Sequence, residues 1–170
     1  MAAQRTLIAF YSGSGTTRKI AEALAAQLKC DVEEIIASKP HAGFPGVLRS
    51  LIEAMRHRPA QIAPAKRVPS AYDLVIIGTP VWAWSVSSPI RAYLMQHANT
   101  LPQVAFFCAM GGSGDQGTFA QMQALAGKAP RAKAAFTTAE VVGGRFAPRL
   151  AAFVQALGSS ASPTSDQRAA

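Results

Sequence analysis

Between Ser12 and Thr17 the chain reads Ser-Gly-Ser-Gly-Thr-Thr, four hydroxyls and two glycines in six residues, directly after the apolar run Leu7 to Tyr11. A helix is expected over Thr17 to Lys29, where Ile20, Ala21, Leu24, Ala25 and Leu28 recur at helical spacing. The first amides of a helix lack intrahelical partners, and the aligned peptide dipoles add about half a positive charge there. An anion is favoured at such a point, and hydroxyls on both sides complete a cradle for a phosphate. A capped helix after a tight turn is the plainer alternative, but one cap needs one hydroxyl and not four.

Other phosphate chemistries fail on spacing. No lysine follows a glycine in this loop, so it is not a Walker loop, and nucleoside triphosphate hydrolysis is disfavoured. Gly13 and Gly15 begin a dinucleotide fingerprint, but its last position is Arg18. A small tyrosine phosphatase needs Cys-x5-Arg, but the arginine position is Gly114 after Cys108 and Ile36 after Cys30. A response regulator needs an aspartate at the end of its third strand, and here that end reads Gly78-Thr79-Pro80. The two cysteines have neither metal-ligand nor disulfide spacing, and Cys108 lies in an apolar run. His41 and His57 flank a helix-like stretch, His97 is explained by a helix C-terminus, and Asp115 caps a helix more simply than it serves a ligand.

The elements that must position the loop alternate regularly between strand-like and helix-like stretches. Strands are expected at Leu7 to Tyr11, Val32 to Ala37, Tyr72 to Gly78, Gln103 to Met110 and Ala132 to Val142. Helices are expected at Thr17 to Lys29, Val47 to Arg58, a segment opening at Ser87-Ser88-Pro89, Thr118 to Gly127 and Ala147 to Leu157. Proline-rich Arg58 to Pro69 reads as a connector. The continuous Leu74-Val75-Ile76-Ile77 run suits a strand covered on both faces at the centre of a parallel sheet. This pattern describes one α/β domain over residues 1–157, a doubly wound sandwich with helices on both faces, followed by a tail at 158–170 expected to be disordered. Ligands of such sheets bind beyond the carboxyl ends of the strands, where strand order reverses. That rule selects Ser12 to Thr17, Pro80 to Ser87 and Met110 to Gly117.

With the other families removed, the chain resembles the flavodoxins, whose first loop reads Tyr/Trp-Ser-x-Thr-Gly-Asn-Thr. Here it reads Tyr11-Ser12-Gly13-Ser14-Gly15-Thr16-Thr17, with Ser14 for Thr, Thr16 for Asn, and Arg18 where an acid is common. Tyr72 to Trp82 is similar to the second-loop region and Gly111-Gly112-Ser113-Gly114 to the third, so the resemblance spans about residues 5 to 157. It implies a five-stranded parallel sheet of order 2-1-3-4-5 and FMN as cofactor. Ser12, Gly13, Ser14, Gly15, Thr16 and Thr17 would hold the phosphate. Pro80, Val81, Trp82 and Ala83, with Met110, Gly111, Gly112, Ser113 and Gly114, would hold the ring. Trp82 and Trp84 would lie on one ring face, against the alternative of ordinary packing. The third loop departs from the family in having no aromatic between Met110 and Thr118, which would leave one flavin face open to a nicotinamide or a quinone.

Two activities follow from that resemblance: an NAD(P)H-linked quinone or flavin reductase, and a one-electron carrier between protein partners. A phosphate-ligand sensor is the reading outside redox chemistry. The chain has 170 residues with 49% in the apolar set, so a sizeable core is expected, and its longest apolar runs fall well short of the ~20 residues a spanning helix needs. No transmembrane segment or secretory leader is expected, and a reducing, cytoplasmic setting fits. The formal charge is +8, whereas typical flavodoxins are acidic. Positive charge near the ring is expected to make it less reducing, and an acidic redox partner is expected. Arg49, Arg56, Arg58, Lys66 and Arg67 face only Glu53 in a segment without interleaved aromatics, so nucleic acid is not the expected partner.

Overall fold

The computed structural model describes residues 4–38 and 60–159. Among the described residues six strands are formed: β1 (Thr6–Phe10), β2 (Asp31–Glu34), β3 (Leu74–Trp82), β4 (Ser85–Val86), β5 (Gln103–Met110) and β6 (Lys133–Thr137). The helices are α1 (Thr16–Leu28), α2 (Ser88–His97), α3 (Asp115–Ala126), α4 (Thr138–Val142) and α5 (Ala147–Ser159). The long strands pair in parallel in the order β2-β1-β3-β5-β6, the expected 2-1-3-4-5 arrangement, and β4 joins β3 as an antiparallel hairpin.

Alternation along each strand divides the core between two faces. Leu7, Ala9, Val75, Ile77, Phe106 and Cys108 pack with Ile90, Tyr93 and Leu94 of α2 and Phe119 and Met122 of α3. Ile8, Phe10, Leu74, Ile76, Ala105 and Phe107 pack with Ile20 and Leu24 of α1 and Leu150 and Phe153 of α5. Burying both faces is what makes the strands read as unbroken apolar runs. At the centre, Gly78 lies opposite Phe107, and an added Cβ would come 2.1 Å from that ring. A glycine is required there by close approach.

Several boundaries differ from expectation for identifiable reasons. β3 runs past Gly78 to Trp82 because its far end pairs with β4, Val81 with Val86 and Trp82 with Ser85. β2 ends at Glu34, and the chain beyond it pairs with the connector instead: Ala37 bridges Ile62, and Ser38 and Ala63 donate to Gln61 and Ile36 carbonyls. The amides of Lys66 and Arg67 donate to the Glu33 carboxylate at 2.5 and 3.0 Å, so the connector straps the sheet edge.

The strand expected over Ala132 to Val142 stops at Thr137, where a capping box starts α4. Glu140 N donates to the Thr137 hydroxyl, and Thr137 N donates to the Glu140 carboxylate. α3 begins already at Asp115, because Gly114 turns the chain with φ +103°. The helix expected at Val47 to Arg58 and residues 160–170 of the expected tail lie outside the described residues, while α5 continues to Ser159. Among the described residues, no helix is long and apolar enough to cross a membrane.

Candidate functional site

The turn after β1 is organised by its first serine. Ser12 Oγ accepts from the amides of Gly15 (3.1 Å) and Arg18 (3.2 Å), which leaves its own proton to donate. Gly15 takes φ +91° at the N-cap of α1, and no cap-residue side chain closes that helix. The amides of Thr16 and Thr17 therefore begin α1 without intrahelical partners. Ser14 and Thr16 are aligned with their hydroxyl oxygens 3.3 Å apart, whereas Thr17 is buried. Arg18, a basic side chain beside the turn, is committed elsewhere: its Nε and Nη2 donate to Glu34 at 3.1 and 2.6 Å. Hydroxyls and backbone dipoles thus carry the turn's affinity for anions.

The second loop is the β3–β4 hairpin. Its two-residue turn consists of Ala83 (φ 48°) and Trp84 (φ 60°), neither of them glycine, in the left-handed region that tight hairpins demand. Each such residue costs of order 1–3 kcal/mol unless its surroundings over-determine it. Thr79 anchors the hairpin base, its hydroxyl 3.0 Å from Ser87 Oγ and accepting from Ser87 N. Ser87 therefore occupies the cap position of α2 without capping by its side chain. Trp82, partly buried, meets Tyr11 edge to face, with ring centroids 5.5 Å apart. It also borders Gly13, where a Cβ would lie 3.8 Å from the indole.

The third loop closes on the same place. Trp84, 65% exposed, donates from Nε1 to Ser113 Oγ at 3.3 Å. A Cβ on Gly114 would come within 2.9 to 3.1 Å of Val81 and Trp84, so hairpin and loop touch there. Gly111 and Gly112 are exposed, with nothing within 4 Å of an added Cβ. The Met110 carbonyl accepts from Thr138 Oγ1 at 3.2 Å, tying the loop to the start of α4. The structure therefore sets the three loops at the carboxyl ends of β1, β3 and β5, with Tyr11 and Gly13 against Trp82, Ser113 against Trp84, and Gly114 against Val81 and Trp84.

Against β4 of the hairpin lies a polar knot without a sequence signal. Ser85 Oγ and the Val86 amide donate to Gln121 Oε1, and Arg91 reaches both Ser85 and Gln121. Tyr11 and this knot went unremarked among the expected site residues. Tyr11 could have been found from its place immediately before Ser12.

The titratable groups are placed away from catalytic work. Burial pushes the Cys108 thiol up to about 12 and the Cys30 thiol up to about 11, so neither is a thiolate at neutral pH. His97 lies in the last turn of α2, but burial lowers its pKa against the helix dipole, and its Nε2 is buried without a partner. Asp115 occupies the first turn of α3 rather than its cap, which is Gly114. His41 and His57 lie outside the described residues, and no cluster of metal-ligating side chains occurs among those described.

A parallel sheet with reversal of strand order between β1 and β3, and loops gathered above that point, defines a doubly wound α/β protein. A family model described as flavodoxin matches residues 5–140, and the chain belongs to the flavodoxin family. A flavoprotein of Lactobacillus acidophilus, solved in complex with FMN, is similar over 83% of this chain and 98% of its own, with 26% identity and a TM-score of 0.66. A protein of Bacteroides eggerthii assigned to the flavoproteins shares 20% identity with a TM-score of 0.73, over 95% of this chain and all of its own. No curated protein matches significantly.

The donor set can be tested against the family's cofactor. A phosphate needs several donors and no acceptor pointing at it, and the turn after β1 offers free helix-start amides together with the hydroxyls of Ser12, Ser14, Thr16 and Thr17. A flat ring needs an apolar wall beside that turn, and Trp82 stands there, held by Tyr11. The residues present fit the group.

Proposed function

We propose that this chain binds FMN noncovalently and works as a small reductase, passing electrons from NAD(P)H to a quinone or a similar acceptor. The observation that carries this reading is the meeting of a hydroxyl-rich helix start, whose Thr16 and Thr17 amides lack helix partners, with Trp82 at the sheet's reversal point. FMN complexation by the relative of 26% identity supports the choice of cofactor. Bound FMN supplies an isoalloxazine that exchanges one or two electrons.

The chain's residues supply binding and access. Ser12, Ser14, Thr16 and Thr17 donate to the phosphate along with the first amides of α1. Trp82 packs the ring from the hairpin side, with Pro80, Val81 and Ala83 shaping that wall. Met110, Gly111, Gly112, Ser113 and Gly114 supply main-chain groups opposite. Open space around Gly111 and Gly112 favours entry of a small redox partner and hence the reductase over the carrier. An acidic protein surface as second partner follows from the charge of +8.

The test is an absorption spectrum of the FMN-loaded protein before and after NADH or NADPH, with and without a quinone. Bleaching by pyridine nucleotide and recovery on quinone addition are expected. Bleaching only through a separate reductase would make the protein a carrier. Failure to take up FMN would leave the phosphate-ligand sensor as the surviving reading.

A further inference from the structure

Arg91 leaves α2 toward the β3–β4 hairpin. Its Nη2 donates to Gln121 Oε1 at 2.9 Å and to Ser85 Oγ at 3.3 Å. Gln121 Oε1 already accepts from the Ser85 hydroxyl at 2.6 Å and from the Val86 amide at 3.4 Å, enough for the two lone pairs of an amide oxygen. The guanidinium is thus not needed to satisfy Gln121.

Nor is the charge itself balanced. Among the described residues, carboxylates pair with Arg18, Arg67 and Arg149, and none pairs with Arg91. Arg91 Nε is buried without a partner, and desolvation lowers the pKa of this half-buried group, the direction in which its charge is costly. A methionine would pack the same stem without that cost.

What the charge faces explains its presence. Ser85, one hydrogen bond from Arg91, pairs directly with Trp82 across the two-residue turn. Opposed residues of an antiparallel pair project to one face, which brings the cation to the side of the hairpin that presents Trp82. Two-electron reduction of FMN with uptake of one proton leaves a net negative charge on the ring. That is the species a nearby, half-buried and uncompensated cation would favour.

We propose that Arg91 is the fixed counter-charge for reduced FMN: a positioning residue that makes this site hold the reduced cofactor more tightly, relative to the oxidised one, than the same hairpin would without it. The proposal rests on FMN binding at the three loops. By linkage, selective loss of affinity for the reduced form appears as a more negative midpoint potential of the bound flavin.

The test measures dissociation constants of oxidised FMN and of dithionite-reduced FMN for the full chain and two variants. Arg91→Met removes the charge. Gln121→Glu keeps an acceptor oxygen for Ser85, Val86 and Arg91 while placing a carboxylate against the guanidinium, and it remains informative if Arg91→Met misfolds. Each variant is expected to weaken reduced FMN binding by about tenfold more than oxidised FMN binding, with the potential falling to match. Arg91→Lys is expected to restore most of the difference. Equal loss in both redox states, or an unchanged ratio in Gln121→Glu, would overturn the counter-charge. An unmodified chain that binds neither form would instead overturn the cofactor reading beneath it.

Discussion

The turn after β1 and the turn after β3 reach the same end of the sheet by opposite means. In the first, the positive φ falls on Gly15, which has open space around it, and the side-chain hydrogen bonds within the turn are made by small hydroxyl residues. In the second, positive φ falls on Ala83 and Trp84, and the hairpin is held from outside by Gly114, Ser113 and the Ser85–Gln121–Arg91 knot. One loop is permissive and lined by hydroxyls. The other is strained and holds two indoles in fixed places. The difference teaches that the proposed phosphate end of the site is specified locally, whereas the proposed ring end is specified by tertiary packing.

The sharpest way to break this comparison is to add one methyl group to each turn. Gly114→Ala puts a Cβ within 3.1 Å of the hairpin at φ +103° and should cost about 2–4 kcal/mol of stability, with a large loss of FMN binding. Gly15→Ala meets nothing within 4 Å and should cost only the backbone strain, about 1–2 kcal/mol. Chemical denaturation of the two variants checks the order, and equal losses would erase the distinction.

At the permissive turn, Thr17→Val should weaken FMN retention by about 1–3 kcal/mol while leaving the fold intact, since the swap keeps the buried shape. Unchanged retention by fluorescence titration would remove Thr17 from the site. At the strained turn, Ala83→Gly should relieve conformational cost and stabilise the unliganded protein by up to about 1 kcal/mol. A destabilised variant would show that the hairpin is not strained.

The turn after β6 is a control that belongs to neither end of the site. Burial would raise the Glu140 pKa, but hydrogen bonds from Thr137 and Arg149 outweigh it and hold the carboxyl below its usual range. A depressed folded-state pKa means that this stability is present above the unfolded pKa and is lost as pH falls through the folded one. Glu140→Gln should therefore flatten a small part of the acid limb of the stability profile without changing FMN affinity.

The same contrast governs what could be read in advance. β5 was legible to the residue, because an apolar run bounded by Pro102 and Gly111 has one interpretation. The hydroxyl turn was legible because its residue types act on their own neighbours. The hairpin was hidden, since Ala83-Trp84 carries no glycine or asparagine to announce a tight turn. α4 was masked by Val141 and Val142, whose strand preference conceals a Thr-x-x-Glu capping box beginning at Thr137. The knot joins residues from β4, α2 and α3, so only the assembled fold brings it together.

The central claim is that the turn after β1 recognises a phosphate beside a ring wall, and parallel titrations of the purified protein with FMN and with riboflavin test it most directly. Helix-start amides and four hydroxyls should make FMN bind at least about tenfold more tightly than riboflavin, which has the ring but no phosphate. Equal affinities, or no quenching of flavin fluorescence by the protein, would contradict it.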